Sequence, residues 1–280
     1  MKKLLLLVLV LSFVFAVSCS SDTSDDAYAK EEMTEESTSV LDKDVIKVGM
    51  ELQYPPFETK DTDGNPVGAS VMLAKALGEY LGKEVEIIDT PYPSLIPALE
   101  TGNIDIIISS MTITAAREES VDFSIPYTTS QLMMLVHKDS IVKSPADLNS
   151  PDVTIASKTG TIGALWAASN APDAVVRNLE EEATAVLEVA QGKADVFIYD
   201  PLSIIRHQEN NPDTTVAILE PLPNTKGWGI ALRKGDENFK AKLDEFINAA
   251  KEDGTYDNIR DTYLEDKVKE FESYGIDFFF

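Results

Sequence analysis

Between Gly102-Asn103 and Ser109 the chain reads Ile104-Asp105-Ile106-Ile107-Ile108, nearly continuous in apolar residues. A strand exposed on one face would alternate; a run of this kind suits a strand covered on both faces, as in a parallel sheet. In open α/β sheets ligands sit beyond the carboxyl ends of the strands, so Ser109, Ser110 and Thr112 fall where a ligand would lie. Thr114 then has the character of an N-cap, which predicts a helix with Arg117 in its first turn. The macrodipole disfavours a cation there and favours Glu118 and Glu119, and a local violation of this sort marks a candidate functional position. The planar paired donors of a guanidinium fit a carboxylate, and nearby hydroxyls and helix amides complete its shell. A surface pair between Arg117 and an acid such as Asp122 is the alternative.

The same grammar returns about ninety positions later. Ala98-Leu99-Glu100-Thr101-Gly102-Asn103-Ile104-Asp105 is echoed by Glu188-Val189-Ala190-Gln191-Gly192-Lys193-Ala194-Asp195, and each leads into an apolar strand. The second strand, Val196-Phe197-Ile198-Tyr199, ends at Asp200-Pro201. One strand end presents a cation and the other an anion, a pair complementary to the carboxylate and ammonium of an α-amino acid. Taken alone, Asp200 before Pro201 also reads as a turn or cap residue.

These stations and their order closely resemble the amino-acid-binding family (family 3) of bacterial extracellular solute-binding proteins, the receptors of ABC importers. The likeness runs from about Val45 to Leu264. It is carried by Ile46-Lys47-Val48-Gly49 with Tyr54-Pro55-Pro56-Phe57-Glu58, then Leu95-Ile96-Pro97-Ala98-Leu99, then Met111-Thr112-Ile113-Thr114 with Arg117. Val121-Asp122-Phe123-Ser124 with Pro126-Tyr127, Ala146-Asp147-Leu148, Lys158-Thr159-Gly160-Thr161, Gly229-Ile230-Ala231 and Asp253-Gly254-Thr255-Tyr256 complete it. At Gly68-Ala69-Ser70-Val71-Met72-Leu73 the chain departs from the family, which usually has an aromatic and two acids around this glycine; the packing beside the cleft should differ.

The resemblance implies an α/β architecture of the two-lobed, type II periplasmic-binding-protein kind, with two crossing hinge segments and the ligand in the cleft between lobes. Residues 43–130 and 226–264 would form the first lobe and 131–225 the second, with the crossings near Thr129 to Met133 and Thr225 to Trp228. By similarity the carboxylate clamp falls on Arg117, helped by Ser110, Thr112 and Thr161, and the ammonium acceptor on Asp200. Tyr54 and Tyr92 stand where aromatic rings sandwich the ligand's stem. Glu51 and Lys158 stand where relatives read the ligand's side chain, and together they offer an acceptor and a donor, which suits a side-chain amide. Glutamine is therefore preferred, then the basic amino acids, which Glu51 and the paired Ser109-Ser110 also suit. A ligand gripped by both lobes favours closure, and closure signals the permease and, through it, the ATPase.

The chain opens on Lys2-Lys3, an apolar run from Leu4 to Val17, and Ser18 before Cys19, the pattern of a secretory signal over 1–18. Cys19 is the only cysteine. It can form neither an internal disulfide nor a multi-cysteine zinc site, and Ala16-Val17-Ser18-Cys19 resembles a bacterial lipobox. Lipid attachment at Cys19 is expected, followed by a flexible tether to residue 42 rich in serine, threonine and acids. The expected place is a bacterial membrane, facing the periplasm or cell exterior. A soluble periplasmic protein is the alternative, because Ala16 replaces the usual leucine.

Charge excludes one class of partner. The 280 residues hold 24 Lys+Arg against 48 Asp+Glu, a net −24 that becomes two units more negative once Lys2 and Lys3 leave. Such acidity opposes nucleic-acid binding, which needs clustered cations. With only two histidines, His137 and His207, no histidine-rich metal centre is expected, and neither a cofactor nor a metal is called for. A monomer is expected. The charged stretch after Glu265 reads as a solvated helix within a C-terminal extension, 265–280, that ends in Phe278-Phe279-Phe280. Binding without catalysis is the expected activity. The alternative is an enzyme resembling the cyclohexadienyl dehydratases on the same fold, with Glu51 or Asp200 as the acid.

Overall fold

The computed structural model describes residues 39–129, 131–223 and 226–276. The predicted signal, Cys19, the tether as far as Thr38, and Phe278-Phe279-Phe280 lie outside the described residues, as do Ser130 and Thr225 in the expected crossings. The first stretch runs β1 (Val45–Met50), β2 (Thr59–Lys60), β3 (Pro66–Val67), α1 (Ala69–Leu81), β4 (Glu84–Asp89), α2 (Leu95–Glu100), β5 (Ile106–Ile107), α3 (Ala115–Glu118) and β6 (Val121–Phe123). The middle runs β7 (Met133–His137), β8 (Thr154–Lys158), α4 (Ile162–Asn170), β9 (Val175–Leu179), α5 (Glu182–Ala190), β10 (Val196–Tyr199), α6 (Pro201–Asn210) and β11 (Thr215–Ile218). β12 (Ala231–Arg233), α7 (Glu237–Glu252), α8 (Thr255–Tyr263) and α9 (Glu265–Ser273) follow.

Two five-stranded sheets result, ordered β4-β1-β5-β12-β6 and β11-β7-β10-β8-β9. Both are covered on two faces, which is why the inner strands β5, β7, β8 and β10 do not alternate apolar with polar. Ile106 and Ile108 join the core with Leu73 of α1, Phe246 of α7 and Ile259 of α8, whereas Ile107 joins Leu95 and Leu99 of α2. In the second sheet Met134, Val136, Val196 and Ile198 pack with Trp166 of α4, and Met133, Leu135 and Phe197 pack with Val186 and Val189 of α5. β5 lies parallel to β1 but antiparallel to β12, so the sheet is mixed where a parallel one was expected. The reason is topological: β12 arrives from the second sheet after the chain's return and enters beside β5.

The chain passes from β6 to β7 and back from β11 to β12, and the two passages touch. Tyr127 N–H donates to Trp228 O at 2.9 Å, and Trp228 N–H to Thr128 O at 3.1 Å. A Cβ on Gly227 would stand 2.1 Å from Thr128 O, so only glycine permits this approach. α9 was expected to be solvated, and it is helical but not wholly exposed. Leu264 and Val268 pack on the first sheet's core, while Phe271, 1% exposed, packs with Leu202 and Ile205 of α6. The extension thus touches both lobes. Among the described residues no helix is long and apolar enough to cross a membrane.

Candidate ligand-binding site

The carboxyl ends of β1, β5, β8 and β10 meet between the two sheets: Glu51 and Asp200 directly follow β1 and β10, Ser109-Ser110 lie just beyond β5, and Lys158 is the last residue of β8. A cavity lies there. Glu51, Tyr54, Glu58, Tyr92 and the turn Ser109, Ser110, Thr112 line it from the first lobe. Thr161, Ile162, Tyr199 and Asp200 line it from the second, and Leu132 and Trp228 from the crossings. Seven of the nine residues singled out from sequence line this cavity; Arg117 and Lys158 do not.

Arg117 behaves as its local chemistry dictates. Thr114 caps α3, its side chain accepting from Arg117 N–H, which fixes the arginine in the first turn. The guanidinium is buried, donating to Thr112 O at 2.5 Å, Tyr92 Oη at 3.2 Å and, across the cleft, Gly160 O at 2.9 Å. Its carbon lies 5.7 Å from the centre of the Tyr92 ring, within cation–π range. Tyr92 therefore stands between Arg117 and the main cavity. A second, larger and more open cavity, lined by Arg117 itself with Pro93, Gly160 and Leu165, lies beside the arginine.

Lys158 does not reach the main cavity because its ammonium pairs with Glu51 across the lobes, both side chains being buried. Glu51 Oε1 also accepts from Tyr92 N–H at 3.1 Å. Each charge so compensates the other, and removal of either leaves a buried ion without its counter-ion.

Asp200 caps α6, its Oδ1 accepting from Ser203 N–H at 3.0 Å. Both roles weighed for it from sequence are thus available at once, since Oδ2 is buried with no hydrogen-bond partner. The Tyr54 hydroxyl is equally buried and unpaired. The Tyr54 hydroxyl faces Asp200 and acts on it as a weak hydrogen-bond donor, but neither the hydroxyl nor Oδ2 has a partner in normal hydrogen-bond geometry. Burial pushes the Asp200 carboxyl above its ordinary range and the nearby Glu182 charge adds to this, against Tyr54 and Ser203. An orphaned buried oxygen facing a cavity is what a ligand donor satisfies. Tyr54 packs on Phe57 with centroids 5.3 Å apart and meets Tyr199 and Trp228 edge-on at 6.1 Å. Thr161 stands immediately before α4, its hydroxyl donating to Lys158 O at 2.8 Å rather than capping the helix amides.

Glu58 was missed from sequence as a site residue. It is 1% exposed and accepts from Ser110 Oγ at 3.1 Å and Ser109 Oγ at 3.4 Å. Ser109 Oγ in turn accepts from Glu51 N–H at 3.0 Å. Burial pushes the Glu58 carboxyl up to about 8, overcoming hydrogen bonds from Ser70, Ser110 and Ser109, with the Glu51 charge adding to the rise. Ser70 sits where the chain departs from its family, and the adjoining Gly68 is held at φ 124, where a Cβ would lie 2.2 Å from Phe57 O. The one sequence signal for Glu58 was an acid immediately after an aromatic, proline-rich segment. Tyr199, Trp228, Leu132 and Ile162 were missed too, because an apolar wall residue is indistinguishable in sequence from core.

A family model described as bacterial extracellular solute-binding proteins, family 3, matches residues 46–266. The L-cystine-binding protein TcyJ of Escherichia coli (strain K12) is 29% identical over 244 residues, 86% of this chain and 90% of that protein. A probable histidine-binding protein of Neisseria gonorrhoeae is 32% identical over 224 residues, 79% of this chain and 83% of that protein. Among solved structures, the ancestral amino acid-binding protein AncCDT-1, a precursor of cyclohexadienyl dehydratase, superposes with a TM-score of 0.71 at 36% identity, covering 81% of this chain and 99% of its own. The fold is accordingly the two-lobed, type II periplasmic-binding-protein architecture.

Proposed function

The chain belongs to the bacterial extracellular solute-binding proteins of family 3, and from that premise we propose that it captures a polar L-amino acid between its lobes and hands it to an ABC permease and its ATPase. The unpaired Asp200 Oδ2 at the cavity wall carries the reading. It takes the α-ammonium. The carboxylate takes the Ser110 and Thr112 side of the cavity and reaches Arg117 when Tyr92 turns aside, replacing Gly160 O and Tyr92 Oη as partners of the guanidinium. Thr161 flanks it, and Tyr54 and Tyr92 hold the stem.

Charge balance supports a neutral side chain. Glu51 and Lys158 cancel, Glu58 is protonated at neutral pH, and Asp200 and Arg117 match the two ends of a zwitterion. A cationic tail would bring one uncompensated charge into a buried site. L-Glutamine is therefore preferred over the basic amino acids. In this reading residues 43–130 and 226–264 form one lobe and 131–225 the other, and the protein is an exported monomer anchored through Cys19. The test is to unfold and refold the protein, freeing it of carried ligand, and follow its melting temperature with each proteinogenic amino acid. A ligand of the folded state must raise it. A shift with L-glutamine supports the proposal, a shift only with arginine, lysine or histidine moves the tail to Glu51, and no shift with any refutes it.

One observation favours the dehydratase alternative: a cavity carboxyl that stays protonated at neutral pH is a ready general acid. Turnover of prephenate or arogenate distinguishes it, and none is expected.

A further inference from the structure

Ser110 is the sole non-glycine residue with positive φ among the described residues, at 48°. Backbone held there is strained unless its surroundings fix it. Two groups do so: the Tyr127 hydroxyl accepts from Ser110 N–H at 3.1 Å, and Glu58 accepts from Ser110 Oγ at 3.1 Å. The other oxygen of the same carboxyl takes Ser109 Oγ at 3.4 Å. Glu58 is thus the common anchor of both serines at the floor of the cavity, and it lines that cavity itself.

We propose that Glu58 is a positioning residue that sets the hydroxyl directions of Ser109 and Ser110 and thereby the charge of the ligand that the cavity accepts. This rests on the amino-acid reading of the site. When ionised, the carboxylate consumes both serine O–H donors, so the floor offers only acceptors and a net negative charge. When protonated, Glu58 donates to one serine, whose own O–H turns toward the cavity, and the floor is neutral. The first state suits a cationic tail and the second an amide. The groups facing Glu58 are the serines Ser70, Ser109 and Ser110, the phenols of Tyr92 and Tyr127, and the Glu51 carboxylate, itself held by Lys158. Glu51 opposes ionisation, and among the described residues no unpaired cation faces Glu58 to promote it.

The test uses L-glutamine and L-arginine as probes and reads the ratio of their dissociation constants at pH 6.5 and pH 9. The ratio cancels the α-amino titration common to both. In the wild type it should move toward arginine by about tenfold, the size of one charge-assisted hydrogen bond. In Glu58→Gln, which keeps a donor and an acceptor but does not titrate, the ratio should stay constant. An equal shift in both proteins, or none in the wild type, overturns the proposal. Should neither amino acid bind, the amino-acid reading fails, and the ligand-free proteins decide about Glu58. The wild-type denaturation midpoint should fall more steeply from pH 6 to pH 8 than that of Glu58→Gln, and parallel falls overturn the proposal.

Discussion

Substituting Glu58 by Gln should reshape the dependence of stability on pH. In the unfolded chain this carboxyl titrates near 4.5, and in the folded protein burial raises it to about 8. Between these values the folded state holds a proton that the unfolded state has released, so stability falls as pH rises, by about 1.4 kcal/mol per pH unit for one proton. The fall begins above the unfolded value and levels off past the folded one, and over the whole window it amounts to roughly 5 kcal/mol. Glutamine has the same shape, can serve both serines and carries no proton to lose. The mutant should therefore gain on the wild type, by roughly 2 kcal/mol between pH 6 and pH 8. Urea denaturation at half-unit pH steps measures it, and the difference between the proteins removes contributions shared by other groups, including the raised Asp200 carboxyl. A difference curve flat from pH 5 to pH 8 would refute the protonated, buried Glu58 and the cavity charge balance built on it.

Asp200→Asn keeps the cap on α6, since asparagine caps as well as aspartate, but removes the anion. Calorimetry should show loss of L-glutamine binding by about a hundredfold or more with a melting temperature nearly unchanged. Lys158→Met leaves Glu51 buried and unpaired and should lower stability by about 3 kcal/mol or more, whereas Glu51→Gln with Lys158→Met should recover most of it; chemical denaturation of all three variants, including Glu51→Gln alone, gives the coupling. Phe271→Ala empties the contact of α9 with α6 and should lower stability by about 3 kcal/mol, read by the same method, while a change below about 0.5 kcal/mol would mean that α9 is not held to the second lobe.

What was legible in the sequence was what is written locally. Thr114 and Asp200 announce helix starts because a capping side chain must sit next to the amides it serves. The Ile104–Ile108 and Val196–Tyr199 runs announce doubly covered strands because burial on both faces removes alternation. Partnership across the fold was not legible. Glu51 and Lys158 are 107 positions apart in sequence and meet only because two sheets face each other. Glu58 gave no periodic or spacing signal, since its burial depends on Ser109 and Ser110 arriving from a strand more than fifty residues later. The orientation of Arg117 was likewise hidden: its helix position follows from Thr114, but whether it faces the cavity or the back of Tyr92 depends on the ring and on Gly160 from the other lobe.

Those cross-lobe contacts have a common consequence for how the protein works. Glu51–Lys158, Arg117–Gly160 and Arg206 Nη1–Pro55 O at 3.3 Å all join one lobe to the other, and α9 packs on both. Opening must break the polar contacts together and either slide or release α9. Breaking Arg117–Gly160 exposes a guanidinium, and breaking Glu51–Lys158 exposes two ions, each of which water then solvates, so the penalty of opening is moderated by hydration. Asp200 Oδ2 is different, because closure without a donor buries it unpaired. In the function proposed above, a ligand ammonium would remove that cost in the closed state alone, and a ligand can shift the equilibrium only by such a difference between states. The other contacts set where the lobes meet, whereas Asp200 makes their meeting depend on what lies between them.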